Sequence, residues 1–345
     1  MRPDVEEFFC GISFDAYRLL GSHPAGPGRG WLFTLWAPHA RRVQLLGDWN
    51  GWDLYSAAEL TFCEDGLWRG RVPQARLGQL YKYNIQGPDG SWQLRADPFA
   101  FAFEALPGTA SRLAEPNYPF AAPLLRGARR DAPVLIYELH AASWHRHWDG
   151  RYYTGPELAK SLVPYLVEHH YTHVEFLPLA EYPFDGSWGY QGCGYFAPTQ
   201  RIGGFAGFAA LVDALHAAGI AVLMDDFGSA YSSLNMLKDI NVDAIKLDMK
   251  FVDLNADNAA KGLKIIESVI DMAYQLRLSI IAEGAQTAEQ VSKLRELGCM
   301  YIQGYYFYRP LTVGKMEDLL EHRPDDQHFW NISKDPVSYT HLTLP

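Results

Sequence analysis

Apolar and polar residues alternate over roughly the first hundred positions. "GRGWLFTLWAPHARRVQLLGDWNGWD" reads as strand, turn, strand with the turn at Asp-Trp-Asn-Gly, and "GLWRGRVP" and "QLYKYNIQGPDGSWQLRADPFA" repeat the rhythm between Gly, Pro and Asp punctuation. This pattern predicts an all-β sandwich over residues 1–110. From about residue 131 the period changes. "VLIYELHAASW", "THVEFLPL" and "IAVLMD" are near-continuous apolar runs separated by the helical spacings of "GPELAKSLVPYLVEHH" and "FAALVDALHAAG". "AIKLD", "SIIAEG" and "YIQGYYF" continue the alternation, and each ends in a polar residue where an apolar strand meets a loop. Strands that alternate with helices predict parallel pairing in an α/β barrel or doubly wound sheet. Polar residues at the C-terminal ends of barrel strands converge on one mouth, which here would gather Asp225, Asp226, Lys246, Glu283 and Gln303.

Composition changes along the chain. Residues 1–225 hold two lysines (Lys82 and Lys160) against sixteen arginines, whereas residues 226–345 hold eight lysines against four arginines. Solvated faces accept either cation, so no fold requires this swing, and it points to two segments of different origin. The formal charge of −10 argues against a nucleic-acid polymer or an anionic membrane as partner. The N-terminus carries no basic and apolar leader pattern and no run of about 18 apolar residues occurs, which gives a cytoplasmic expectation. Cys10, Cys63, Cys193 and Cys299 lack metal or disulfide spacing and are expected to be free thiols. His169 and His173 stand at i, i+4 without a third ligand and are expected to be structural.

The sandwich segment, through "FTLWAPHARRVQLLGDWNGW", "GLWRGRVP" and "YKYNI", resembles the carbohydrate-binding module that precedes the barrel in glycogen branching enzymes and isoamylases. Trp49, Trp52, Trp68 and Trp92 then have two readings, as sugar platforms or as core. "YELHAASW", "YTHVEFLPLAEYPFDGSWGYQGCGYFAPTQRIGG" and "LVDALHAAGIAVLMD" resemble the start of the branching-enzyme barrel in the α-amylase superfamily. That resemblance implies a 1,4-α-glucan partner, with Tyr190 stacking on sugar and Asp225 closing the third strand. It also implies a catalytic carboxylate dyad on later strands, which this sequence leaves the family pattern too early to contain. Glu138, Glu175 and Glu181 match no catalytic position and are expected to be structural.

"DDFGSAYSSL", "KLD", "AEG" and "QGYYF" resemble the C-terminal half of EAL domains, the cyclic di-GMP phosphodiesterases. The resemblance implies Asp225 and Asp226 as metal ligands, Lys246 and Glu283 serving an attacking water, Gln303 on the nucleotide, and Mg²⁺ as cofactor. The family's first four strands are missing, and two aspartates cannot supply the roughly six oxygens that each Mg²⁺ takes. The expected organisation is a sandwich (1–110), a linker (111–130), three branching-enzyme βα units (131–225), four EAL-type βα units (225–322) and a tail (323–345). The two segments share one strand, which leaves an α/β hybrid, incomplete (β/α) barrel of about six βα units where a closed barrel has about eight. "PVSYTHLTLP" (336–345) looks like translated sequencing-adapter sequence. The expected chain is therefore a chimera without an intact active site that binds glucan weakly at most and takes Mg²⁺ weakly if at all. A cyclic-di-GMP-binding or phosphodiesterase-like regulator and a branching enzyme of unusual architecture are the alternatives.

Overall fold

The computed structural model describes residues 5–9, 16–125, 133–227, 241–248, 259–276 and 278–322. The alternating N-terminal segment forms two antiparallel sheets. One orders β1 (Gly21–Pro24), β2 (Trp31–Trp36), β6 (Leu67–Val72) and β5 (Thr61–Phe62). The other orders β4 (Ala58–Glu59), β3 (Arg42–Gly47), β7 (Leu80–Gln86), β10 (Ser111–Arg112) and β9 (Ala102–Phe103), with β8 (Trp92–Arg95) beside β7. Their facing residues, among them Trp31, Phe33, Val43, Leu45, Trp68, Tyr81 and Tyr83, make one core.

The two readings of the tryptophans divide between residues. Trp68 is buried, and Trp49 packs against Phe33 with ring centroids 5.7 Å apart, so both belong to the core. Trp92 stays 38% exposed on β8, and the guanidinium of Arg42 lies 5.5 Å from its ring centroid.

The second half contains a six-stranded sheet ordered β11 (Ile136–Leu139), β12 (His173–Phe176), β15 (Ala221–Phe227), β16 (Ala244–Asp248), β17 (Ser279–Glu283) and β18 (Tyr301–Gln303). Every neighbouring pair is parallel, as the apolar runs and intervening helices require. Among the described residues β11 and β18 are the ends of the sheet. The helix Gly155–Glu168 starts on a capping box in which the Thr154 amide donates to Glu157 Oε2 at 2.8 Å. Leu158, Leu162 and Leu166 of that helix and Leu211, Val212 and Leu215 of the helix Gly204–Ala217 pack on one face of the sheet. Ile266, Ile270 and Ala273 of the helix Ala259–Leu276 and Val291 and Leu294 of the helix Ala288–Glu296 continue the same layer.

β15 joins the two segments of contrasting composition, and its pairing with β16 shifts register between Met224 and Phe227. Side chains also cross the join. Asp243, from the lysine-rich segment, accepts from His216 Nε2 (2.8 Å), the Val222 amide (2.8 Å) and the Leu125 amide (2.8 Å). The sandwich meets the second half at the short antiparallel pair β13 (Ala180–Glu181) and β14 (Gly194–Pro198). There Phe196 stacks on Phe99 with centroids 5.0 Å apart. Cys63 and Cys193 are half-buried free thiols and Cys299 is a buried one.

Candidate functional site

Strand periodicity places alternate residues of the parallel sheet on opposite faces. Leu139, Val174, Phe176, Val222, Ile245, Leu247, Ile280 and Ala282 face the helices. The residues between them form the other face, where Ile136, Leu223, Ala244, Ile281 and Tyr301 make a small apolar patch. One step further along each strand, this inner face carries Glu138, Glu175, Asp225, Lys246 and Glu283.

Lys246 is the centre of the group. Its ammonium pairs with Glu175, lies 3.1 Å from Asp225 Oδ1 and lies 2.9 Å from Glu283 Oε2. The lysine side chain is 3% exposed and that of Glu175 is 1% exposed, so neither charge is solvated by bulk water. Burial alone would lower the lysine pKa, but Glu175, Asp225 and Glu283 outweigh it and hold the ammonium charged well above its ordinary range. Burial pushes the Glu175 carboxyl up to about 8, with the Asp225 charge adding to the rise and Lys246 opposing it. Burial likewise raises Glu283 and Glu138.

The inner face thus brings together three residues singled out by sequence, Asp225, Lys246 and Glu283. Gln303 lies directly across from Glu283 in the β17–β18 register. Asp226 belongs to β15, and its side chain lies outside the described residues. Glu175, expected to be structural only, is the carboxylate most deeply engaged with Lys246. The available sign in the sequence was a lone acid within "THVEFLPL", at the parity that faces away from the helices.

A second constellation surrounds Tyr190. The chain between β13 and β14 exposes Phe184, Trp188 and Tyr190, and the Trp188 ring lies parallel to His140, directly after β11, at 5.3 Å between centroids and 11° between planes. Buried Arg201 secures the base of this loop, since Nη1 donates to Glu181 Oε1 at 2.9 Å and Nη2 to Asp185 Oδ1 at 2.6 Å. Its guanidinium also lies 3.7 Å from the Tyr182 ring centroid. Burial raises the Glu181 carboxyl even though Arg201 and the Gln200 amide stabilise its charge. Tyr190, to which the resemblance assigns sugar stacking, is 42% exposed, whereas its neighbour Trp188 and the His140 beneath it were not singled out. His169 and His173 do not converge, since His169 packs on Tyr165 at 4.5 Å between centroids and His173 Nδ1 is paired with the Thr172 hydroxyl at 2.7 Å.

Residues 19–100 match the carbohydrate-binding module 48 (isoamylase N-terminal domain) family, and residues 200–310 match the EAL domain family. The chain is 45% identical over 224 residues to the 1,4-alpha-glucan branching enzyme GlgB of Lactiplantibacillus plantarum, an alignment that covers 63% of this chain and 35% of that protein. It is 47% identical over 199 residues to the GlgB of Pseudomonas aeruginosa, covering 56% of this chain and 27% of that one. The chain thus spans about a third of the length of the curated relatives it matches. Among solved structures it resembles a pullulanase from Anoxybacillus sp. LM18-11 (TM-score 0.60, 18% identity, 84% of this chain and 52% of that chain). It also resembles a putative alpha amylase from Salmonella typhimurium (TM-score 0.58, 20% identity, 78% and 50%), and at such identities the likeness concerns the fold alone. No helix among the described residues is long and apolar enough to cross a membrane. Stretches similar to carbohydrate-binding module 48, to glucan branching enzymes and to EAL domains therefore stand in one continuous chain.

Proposed function

We propose that this chain is a cytoplasmic α-glucan-binding protein in which a branching-enzyme segment, ending near Asp225, continues into the C-terminal half of an EAL-type barrel. In this reading the second half is an open assembly of about six βα units, and the chain performs neither glucan branching nor phosphodiester hydrolysis. The observation that carries it is the exposed aromatic loop, where Trp188 backed by His140 stands beside Tyr190 and Phe184 at the C-terminal end of β11. Flat, pre-positioned rings stack on the apolar faces of pyranose sugars, and βα architectures bind ligands at that end of their strands. Trp92 on the sandwich offers a second stacking ring. Retaining glycosyl transfer uses two carboxyl groups about 5 Å apart, one as nucleophile and one as acid. The inner-face carboxylates are instead drawn onto one ammonium.

Affinity electrophoresis of the full chain through glycogen tests the reading. Retardation should be reduced by Trp188→Ala and by Trp92→Ala and abolished by the pair, and unchanged migration of the wild type would remove the claim. The iodine spectrum of amylose should not change on incubation with the protein. A shift lost in Asp225→Ala would overturn the inactive reading.

The meeting of Asp225, Lys246 and Glu283 beside Gln303 favours one alternative, recognition of cyclic di-GMP at the inner face. In that alternative Asp225 and Asp226 are the metal ligands, Lys246 and Glu283 serve water, and Gln303 meets the nucleotide. Calorimetry with cyclic di-GMP and Mg²⁺ separates the two readings. Micromolar binding, or release of the linear dinucleotide that Glu283→Gln abolishes, would favour the alternative.

A further inference from the structure

The EAL-type resemblance implies a divalent metal at the inner face, and the side chains present there can be tested against one. Mg²⁺ takes oxygen donors at about 2.0–2.1 Å in near-octahedral order. Among the described residues no group of three or more His, Cys, Asp or Glu side chains is arranged to hold a metal ion. The oxygens of Glu175, Asp225 and Glu283 do converge, but the point on which they converge is the Lys246 nitrogen. An ammonium and a divalent ion repel each other, and the lysine is buried among these carboxylates. The described side chains do not fit the metal.

We propose that the Lys246 ammonium is the resident cation of this carboxylate group, held there by Glu175, and that the face therefore takes no divalent metal. The partners come from two different stretches of the chain. Glu175 comes from the stretch similar to branching enzymes, while Lys246 and Glu283 come from the EAL-type stretch. Within the EAL-type stretch alone, Lys246 would have Asp225 and Glu283 as its carboxylate partners. The glutamate supplied by β12 adds a third carboxylate to the ammonium. Burial also favours this choice, because a compact monovalent ammonium can be satisfied by carboxylate oxygens alone, whereas Mg²⁺ usually retains several waters. The inference is independent of glucan binding, which involves other residues and is measured separately.

The test uses the full chain and two measurements. In the first, Mn²⁺ is titrated and its free fraction followed by electron paramagnetic resonance, alongside thermal unfolding with and without Mg²⁺. The wild type should leave the Mn²⁺ free, and its unfolding midpoint should not move with Mg²⁺. Stoichiometric Mn²⁺ uptake that Glu283→Gln abolishes would overturn the proposal. The second measurement follows the lysine itself by amine acylation of the native protein and peptide mass spectrometry. Lys246 should remain unmodified while the exposed Lys264 and Lys315 are labelled, and Glu175→Gln, which keeps the lysine and replaces its partner's carboxyl with an amide, should make Lys246 reactive. Labelling of Lys246 in the wild type at the rate of Lys315, or continued full protection in a folded Glu175→Gln protein, would also overturn it.

Discussion

Two regions of the molecule bury a carboxylate, and they solve the problem differently. In the sandwich, Asp97 accepts from Tyr81 Oη (2.6 Å), Tyr83 Oη (3.3 Å) and the Phe99 amide (2.9 Å), all of them neutral donors. In the parallel sheet, Glu175 meets a full positive charge on Lys246. Burial raises the pKa of both acids, but the surroundings differ in kind. The Asp97 network is made within residues that all belong to the sandwich, so it closes as the sandwich closes. The Glu175 pair joins residues 71 positions apart in sequence, from segments of different composition. Neutral donors can satisfy a buried acid within one fold, whereas a charged partner ties one half of a sheet to the other and leaves a buried charge when either is lost.

The largest effect should come from breaking the charged pair. Lys246→Met is expected to lower stability by about 3–5 kcal/mol, because it leaves buried carboxylates without their cation. Adding Glu175→Met should recover part of that loss, since it removes one of the three carboxylates left without a cation while Asp225 and Glu283 remain. Denaturant titrations of the single and double variants check this, and a single variant as stable as wild type would erase the distinction between the regions. A smaller effect is expected for Tyr81→Phe, which removes one of three donors to Asp97 and should cost about 1–3 kcal/mol. Because that network is local, the same change should destabilise the sandwich while leaving Lys246 protected from acylation.

The smallest effect is a pH dependence. A folded-state carboxyl pKa of about 8 lies above the ordinary value of 4.5, so the folded chain binds the extra proton between those limits. The stability it confers is complete below the lower limit and lost as pH rises through the upper one. His140 and His173, whose pKa values burial lowers, contribute with the opposite sign near their ordinary value of 6.5. Between pH 7 and 8 their contribution has largely ended, and stability should fall by up to about 1.4 kcal/mol per pH unit for the Glu175 proton. Glu175→Gln should flatten that slope, and an equal slope in the variant would assign it to other groups.

The elements of both halves were legible because their periods are strong. "WLFTLW" and "LYKYNIQ" alternate and became β2 and β7, while "GPELAKSLVPYLVE" carries its own capping box and became a helix. Strand-end chemistry was legible for Lys246 and Glu283, whose motifs carry resemblance. The role of Glu175 was not, because it depends on β12 lying next but one to the strand of Lys246, across β15, a non-local fact that neither segment encodes by itself. The fates of Trp68 and Trp92 were unreadable for a related reason. Both occur in alternating strands, and only the pairing of β6 inside one sheet and of β8 at the flank of the other separates a core ring from a surface ring.

The register shift in β15 has a consequence for how two stretches of contrasting composition share a strand. From Met224 to Phe227 the chain takes three steps, while its partner takes two, from Ile245 to Leu247. Side chains alternate with a period of two, so an uninterrupted strand imposes one phase from end to end, and a one-residue offset would invert every position beyond it. The extra step acts as a phase slip near the end of the strand, after Leu223 and Met224 have paired in one phase with both β12 and β16. A one-residue change in length at this point can be absorbed locally, and the lysine on the neighbouring strand keeps its orientation toward the acids that surround it.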